Sequence, residues 1–256
     1  MPLEARGRVL GDSRNPAICV PLIGQSRALI LEEVKIALAL QPDLLEWRVD
    51  HFEEASSIDT VLELSRTLRD QGGDVPLLFT LRSAREGGAE RSATETESIA
   101  LIETVAGTGL FDFVDVEIAS PEAEVKRLVA TAHAAGVRVI GSSHDFGSTP
   151  DDEAMLARFR LAAELGADAA KLAVMPKDMS DVLRLLEVTW RARQELGVPI
   201  ISMAMGSLGV VTRAFGHLFG SSLSFAAGAA ASAPGQLPIE ELRTLFGMVK
   251  SRIPTR

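Results

Sequence analysis

The sequence predicts a closed (β/α)8 barrel, a TIM barrel of the α/β class, in a single domain over residues 1–256. Three observations predict it. Short apolar runs alternate with amphipathic segments along the whole chain, the pattern of a parallel sheet covered by helices. The runs number eight, and 256 residues is the length that eight such units occupy. An open doubly wound sheet is the alternative. It would carry a glycine-rich phosphate fingerprint after an early strand, and neither G-x-G-x-x-G nor G-x-x-x-x-G-K occurs there.

Taken in order, residues 1–16 precede the first apolar run and are expected to close the barrel bottom. Strands are predicted at Ile18–Leu22, Leu44–Val49, Leu77–Arg82, Phe113–Ile118, Val137–Ser143, Ala169–Val174, Pro199–Met205 and Ser222–Ala226. Between them, Val125, Leu128, Val129 and Ala132, or Ile239, Leu242, Phe246 and Val249, recur at helical spacing. Gly107, Gly136, Gly166 and Gly197 each follow a last helical turn, where a left-handed cap is expected. Asp151, Asp152 and Glu153 put negative charge at the start of another helix, as its dipole prefers. No stretch reads as an interdomain linker.

With 46% hydrophobic and 24% charged residues, the chain fits one large core. A net charge of −9 argues against nucleic acid or an anionic membrane as partner. It leaves room for a small anion in a locally positive pocket. The lone Cys19 can form no internal disulfide, which favours a reducing compartment. With no secretory apolar region and no apolar stretch of membrane-spanning length, the expected location is the cytoplasm.

Side chains alternate in direction along a strand, so parity separates barrel-facing from helix-facing residues. Leu45, Trp47 and Val49 suit the helix layer, which turns Glu46, Arg48 and Asp50 inward or upward. Leu77, Phe79 and Leu81 face out, with Thr80 and Arg82 inward; Val114, Val116 and Ile118 face out, with Asp115 and Glu117 inward. Leu172 and Val174 face out, which leaves Lys171, Ala173 and Met175 inside. Charges inside a barrel are costly unless used. They mark a site at the C-terminal mouth, with a structural ion network as the competing reading.

A lysine in such an interior has its charged form disfavoured, which frees the amine to attack carbonyls. Two readings stand for Lys171: that nucleophile, or a counter-ion for Asp115 or Glu117. His144, at the end of the neighbouring strand and roughly 5 Å away by inter-strand spacing, favours the first. Once a ketone has become an iminium, the adjacent carbon is acidic, and an imidazole can remove and return its proton. Glu86, in the loop after the third strand, either orients that imidazole or is a solvated loop acid. His51, His133 and His217 read as loop, surface or packing residues, and no metal-ligand spacing occurs.

The motifs Glu-Trp-Arg-Val-Asp-His-Phe at 46–52, Thr-Leu-Arg-Ser at 80–83 with Glu-Gly-Gly at 86–88, His-Asp-Phe at 144–146, Lys-Leu-Ala-Val-Met-Pro at 171–176 and Ser-Ala-Pro-Gly-Gln at 232–236 span nearly the whole chain in order. In these it resembles type I 3-dehydroquinate dehydratase. The resemblance implies a hydro-lyase of the shikimate pathway that takes 3-dehydroquinate to 3-dehydroshikimate and water, with neither metal nor organic cofactor. It further implies a cytoplasmic homodimer.

By the same resemblance Lys171 is the Schiff-base lysine, His144 the general acid and base, and Glu86 its partner. Arg213 holds the substrate carboxylate, where a guanidinium fork suits a planar anion; without the resemblance it reads as a surface helix arginine. Glu46, Arg48 and Arg82 contact the substrate ring and its hydroxyls. Ser232 and Gln236 belong to a closing lid, preceded by the small-residue run 226–231 that gives it freedom to move. Met203, Met205 and Phe225 form an apolar wall, or are plain core. The chain departs from the family where Pro21 replaces a substrate-contacting serine and Ser143 replaces an asparagine. Two other classes stay open: a class I aldolase, for which Gly206 and Gly209 hint at a phosphate site, and a non-catalytic binding barrel.

Overall fold

A computed structural model describes residues 2–12, 15–229 and 232–252; Ala230 and Ala231, within the predicted mobile run, lie outside the described residues. The chain opens with an antiparallel hairpin of β1 (Leu3–Ala5) and β2 (Arg8–Gly11). Leu3 and Ala5 pack with Ala17, Leu44, Leu78, Phe113, Ile140, Ala169, Ile201 and Leu223, one inward residue near the start of each barrel strand. The hairpin therefore plugs the barrel bottom, as residues 1–16 were expected to do.

Eight parallel strands follow: β3 (Ala17–Leu22), β4 (Leu44–Arg48), β5 (Leu77–Thr80), β6 (Phe113–Glu117), β7 (Arg138–Asp145), β8 (Ala169–Val174), β9 (Ile200–Ala204) and β10 (Leu223–Phe225). Their order is β10-β3-β4-β5-β6-β7-β8-β9. The seam closes where Ser222 N–H donates to the Ile200 carbonyl at 2.7 Å. Helices α1 (Arg27–Ala39), α2 (Ile58–Gly72), α3 (Glu95–Ala106), α4 (Glu122–Ala134), α5 (Asp152–Glu164), α6 (Met179–Glu195), α7 (Val210–Phe215) and α8 (Ile239–Lys250) each follow one strand. This is the TIM barrel that the sequence predicts. Among the described residues no helix is long and apolar enough to cross a membrane.

Local chemistry starts these helices. Ser26, Ser57, Thr94, Asp151 and Asp178 accept from backbone N–H groups of the first turn, and Thr94 with Glu97 makes a reciprocal capping box. Gly136 and Gly166 take φ of 74° and 91° just past α4 and α5, as expected. Gly107 does not: at φ −65° it continues the right-handed turn, and the left-handed step comes at Gly109. Gly197 needs none, because α6 ends at Leu196 in extended backbone leading straight to the next strand.

Parity is realised in two separate layers. Leu45, Trp47, Val49, Phe79, Val114, Val116, Leu172 and Val174 join the helices in the larger core. There Trp47 meets Phe52, Phe79 and Phe111 with ring centroids 5.9, 5.9 and 6.4 Å apart. The opposite parity fills the barrel, apolar at the bottom and charged toward the top. Pro21 is tolerated because pairing of β3 with β10 stops at Cys19, so its missing N–H falls beyond that ladder.

Candidate active site

The upper barrel buries Glu46, Arg48, Asp50, Arg82, Glu86, Asp115, Glu117 and Lys171 together. Such a cluster persists only if its members neutralise and hydrogen-bond one another. Arg48 forks onto Asp50 with two bonds of 2.8 Å, and Asp50 also accepts from the backbone of Arg82 and Ala89. Thr80 Oγ1 donates to Glu46 at 2.8 Å. Arg82 reaches Asp115 at 2.7 Å and Glu117 at 3.0 Å. Burial opposes its charge, but these two carboxylates outweigh burial and raise its pKa.

Lys171 projects from β8 into this network. Its Nζ donates to Asp115 Oδ2 at 3.1 Å and lies 4.6 Å from the centroid of the Phe225 ring. The counter-ion geometry is therefore present, with Asp115 and not Glu117 as partner. Burial would raise the Asp115 carboxyl, yet Arg82 and Lys171 hold it well below the usual carboxylate range. Ser142 Oγ donates to its other oxygen at 2.6 Å.

His144 stands beside Lys171 but not level with it. The register pairs Lys171 with Ser142, and His144 with Ala173. The His144 backbone thus sits two residues, roughly 6.6 Å of strand rise, nearer the mouth than that of Lys171. Its Nδ1 lies 2.9 Å from Glu86 Oε2, and the same oxygen accepts the His144 backbone N–H at 3.0 Å. Burial, then Arg82 and Lys171, push the imidazole pKa well below its ordinary value. Burial and the nearby Glu117 raise the Glu86 carboxyl to about 7.

Arg213 on α7 completes the charged set differently. It is 3% exposed, and among the described residues no carboxylate pairs with it. Among the described residues its guanidinium reaches the Pro234 carbonyl at 3.2 Å and Met203 Sδ at 3.9 Å, and Nε takes no partner there. Burial alone lowers its pKa to about 10. Burying a guanidinium without a counter-charge is costly, and its planar fork of donors suits an anion.

The 232–236 segment roofs the mouth. Gln236 Oε1 accepts from Ser232 N at 2.8 Å, and its Nε2 donates to Ser232 Oγ at 2.9 Å. Gly235, at φ 80°, lies so close to Gly206 that a Cβ there would stand 2.2 Å from the Gly206 carbonyl oxygen. Only glycine fits.

All twelve site residues named from the sequence line one cavity of about 150 Å3: Lys171, His144, Glu86, Glu46, Arg48, Arg82, Arg213, Ser232, Gln236, Met203, Met205 and Phe225. Gly87, Phe146, Ala173, Ala233 and Pro234 line it as well. The sequence pattern assigns Phe146 no role of its own within the His-Asp-Phe motif, yet its ring lines the cavity. Its ring lies over Gly87, where a Cβ would be 2.1 Å from the ring edge, so the Glu-Gly-Gly and His-Asp-Phe motifs fit one another. Among the other histidines, His51 is near Asp50, His133 pairs with Asp168 at 2.8 Å, and His217 packs against Phe246.

Residues 18–252 match the family model for type I 3-dehydroquinase. A 3-dehydroquinate dehydratase from Aromatoleum aromaticum is 42% identical over 97% of this chain and 95% of its own. The crystal structure of 3-dehydroquinate dehydratase from Geobacillus kaustophilus superposes with a TM-score of 0.95 at 40% identity, covering 99% of this chain and 98% of that one. The type I enzyme from Clostridium difficile, solved with covalently modified comenic acid, gives 0.93 at 38% identity and covers 99% of both chains. A motif order, a fold and an identity that agree over nearly the whole chain admit one assignment: this chain is a hydro-lyase and belongs to the type I 3-dehydroquinase family.

Proposed function

We propose that the chain dehydrates 3-dehydroquinate to 3-dehydroshikimate through an imine on Lys171. The observation that carries this reading is one cavity holding a buried lysine amine, a histidine–carboxylate pair and a guanidinium with no carboxylate partner among the described residues. The Lys171 amine attacks the ketone carbon and water leaves, giving an iminium that Asp115 neutralises at 3.1 Å in the free chain's geometry. The iminium withdraws electrons from C2. His144 removes the C2 proton, then protonates the C1 hydroxyl as it departs. Hydrolysis of the imine returns Lys171 and releases the conjugated product. The lid at Ser232 and Gln236 excludes bulk water from the iminium. Covalent modification in the Clostridium difficile relative supports such chemistry.

Arg213 is assigned to the substrate carboxylate, and Glu46, Arg48 and Arg82 to ring hydroxyls and position. The aldolase alternative is disfavoured by the planar guanidinium of Arg213 in the cavity, which suits a carboxylate. It is also disfavoured by the Gly235 backbone packed against Gly206, one of the two glycines that hinted at a phosphate site. This reading puts the enzyme in the shikimate pathway, ahead of chorismate and the aromatic amino acids, as a cytoplasmic homodimer. Formation of the enone chromophore from 3-dehydroquinate tests it. Turnover of a phosphorylated sugar aldol instead would contradict it.

Two further outcomes follow. Arg213→Ala leaves the carboxylate without its fork, so KM rises about 10²-fold with a smaller change in kcat, read from steady-state kinetics. The pH profile depends on Glu86. His144 acts as a base at Nε2 only when its proton sits on Nδ1. An ionised Glu86 can only accept and holds it there, whereas a protonated Glu86 can donate to Nδ1 and reverse the tautomer. Activity therefore rises with pH through the Glu86 value of about 7. An acid limb in kcat near an unperturbed carboxylate would contradict this assignment.

A further inference from the structure

Glu86 sits on a 3-10 turn of three residues, Ala84–Glu86. So short a turn cannot hold a side chain in place by itself. Its cap is Ser83, whose Oγ accepts the Glu86 backbone N–H at 3.3 Å. Ser83 is in turn fastened from outside: its N–H donates to Glu117 Oε1 at 2.8 Å, and its Oγ donates to Glu117 Oε2 at 2.6 Å. The same carboxylate accepts Arg82 Nη1 at 3.0 Å, while Arg82 Nη2 rests 2.7 Å from Asp115. Glu117 is buried, makes no bond to Lys171 or His144, and is absent from the cavity lining. The sequence placed it as an alternative counter-ion of Lys171, and that place belongs to Asp115.

We infer that Glu117 is a positioning residue: one carboxylate on β6 clamps the Glu86 turn through Ser83 and holds Arg82 in its bridge to Asp115. It thereby sets the two halves of the site relative to each other, Glu86 and His144 on one side and Asp115 and Lys171 on the other. The inference rests on the imine reading above. Its charge has a second effect. Glu86 is faced by His144 from β7 at 2.9 Å, by Arg82 beyond the end of β5 at 3.8 Å, and by Glu117 and Asp115 from β6. Arg85, on the same turn as Glu86, reaches Glu117 at 3.7 Å. Among these, Glu117 is the strongest neighbour resisting ionisation of Glu86.

Two variants separate clamp from charge. Glu117→Ala removes both, and kcat falls about 10²-fold while KM changes little, because a misplaced Glu86 misorients His144. Glu117→Gln keeps an oxygen for Ser83 but loses the charge. It recovers most of kcat, and its acid limb moves to lower pH by about half a unit or more. Borohydride with 3-dehydroquinate still traps an adduct on Lys171 in both. A merely structural residue would not displace the acid limb. An adduct in the wild-type chain together with an unmoved limb in Glu117→Gln, or full kcat in Glu117→Ala, overturns the assignment of Glu117 alone. Absence of an adduct in the wild-type chain marks failure of the imine reading and removes the basis of this one.

Discussion

Lys171→Met lowers turnover of 3-dehydroquinate by at least about ten-thousandfold, the scale on which enzymes lose activity when their nucleophile is removed. The side chain keeps its length and apolar stem but has no nitrogen to form an imine. Under the proposed mechanism, loss of the iminium takes from the C2 proton the acidifying cation that His144 depends on. The variant should stay folded, because Asp115 keeps Arg82 at 2.7 Å and Ser142 at 2.6 Å and is not left as a lone buried charge. Binding should survive too, since Arg213 and the lid lie elsewhere in the cavity. Circular dichroism and substrate titration check these two points. Residual turnover within tenfold of wild type would mean that the chemistry does not pass through Lys171.

His144→Ala gives the second largest loss, about 10³-fold in kcat, within the range that removal of a general acid–base group produces. Its signature differs from that of Lys171→Met. The lysine is intact and keeps its bond to Asp115, so imine formation proceeds while proton transfer stalls. The covalent adduct should accumulate, visible as an added mass on the intact chain. Full activity, or loss of the adduct along with activity, would contradict the division of labour between the two residues.

Much of this site was legible because the barrel obeys parity. An alternation as plain as Leu45, Glu46, Trp47, Arg48 can satisfy a helix layer and a barrel interior in only one way, and the charged set follows inward. The five ordered motifs then brought distant residues such as Glu86 and Gln236 to one cavity. Three features needed coordinates. The offset between Lys171 and His144 depends on register, which a period-two pattern does not encode. The choice of Asp115 over Glu117 for Lys171 goes with Ser83, whose N–H and hydroxyl take both Glu117 oxygens from the loop past the end of β5. The lack of a carboxylate beside Arg213 among the described residues depends on what the fold packs around a six-residue helix. The misplaced caps at Gly107 and Gly197 have a similar cause, since a glycine near a helix end permits a left-handed step without imposing one.

The central claim is a covalent bond between Lys171 and the substrate ketone. Incubation with 3-dehydroquinate and sodium borohydride, followed by intact-mass measurement and peptide mapping, tests it most directly. The proposed mechanism predicts one adduct per chain, on the peptide containing Lys171, with irreversible loss of activity. An unmodified chain that still turns over 3-dehydroquinate, or an adduct confined to another lysine, would contradict it.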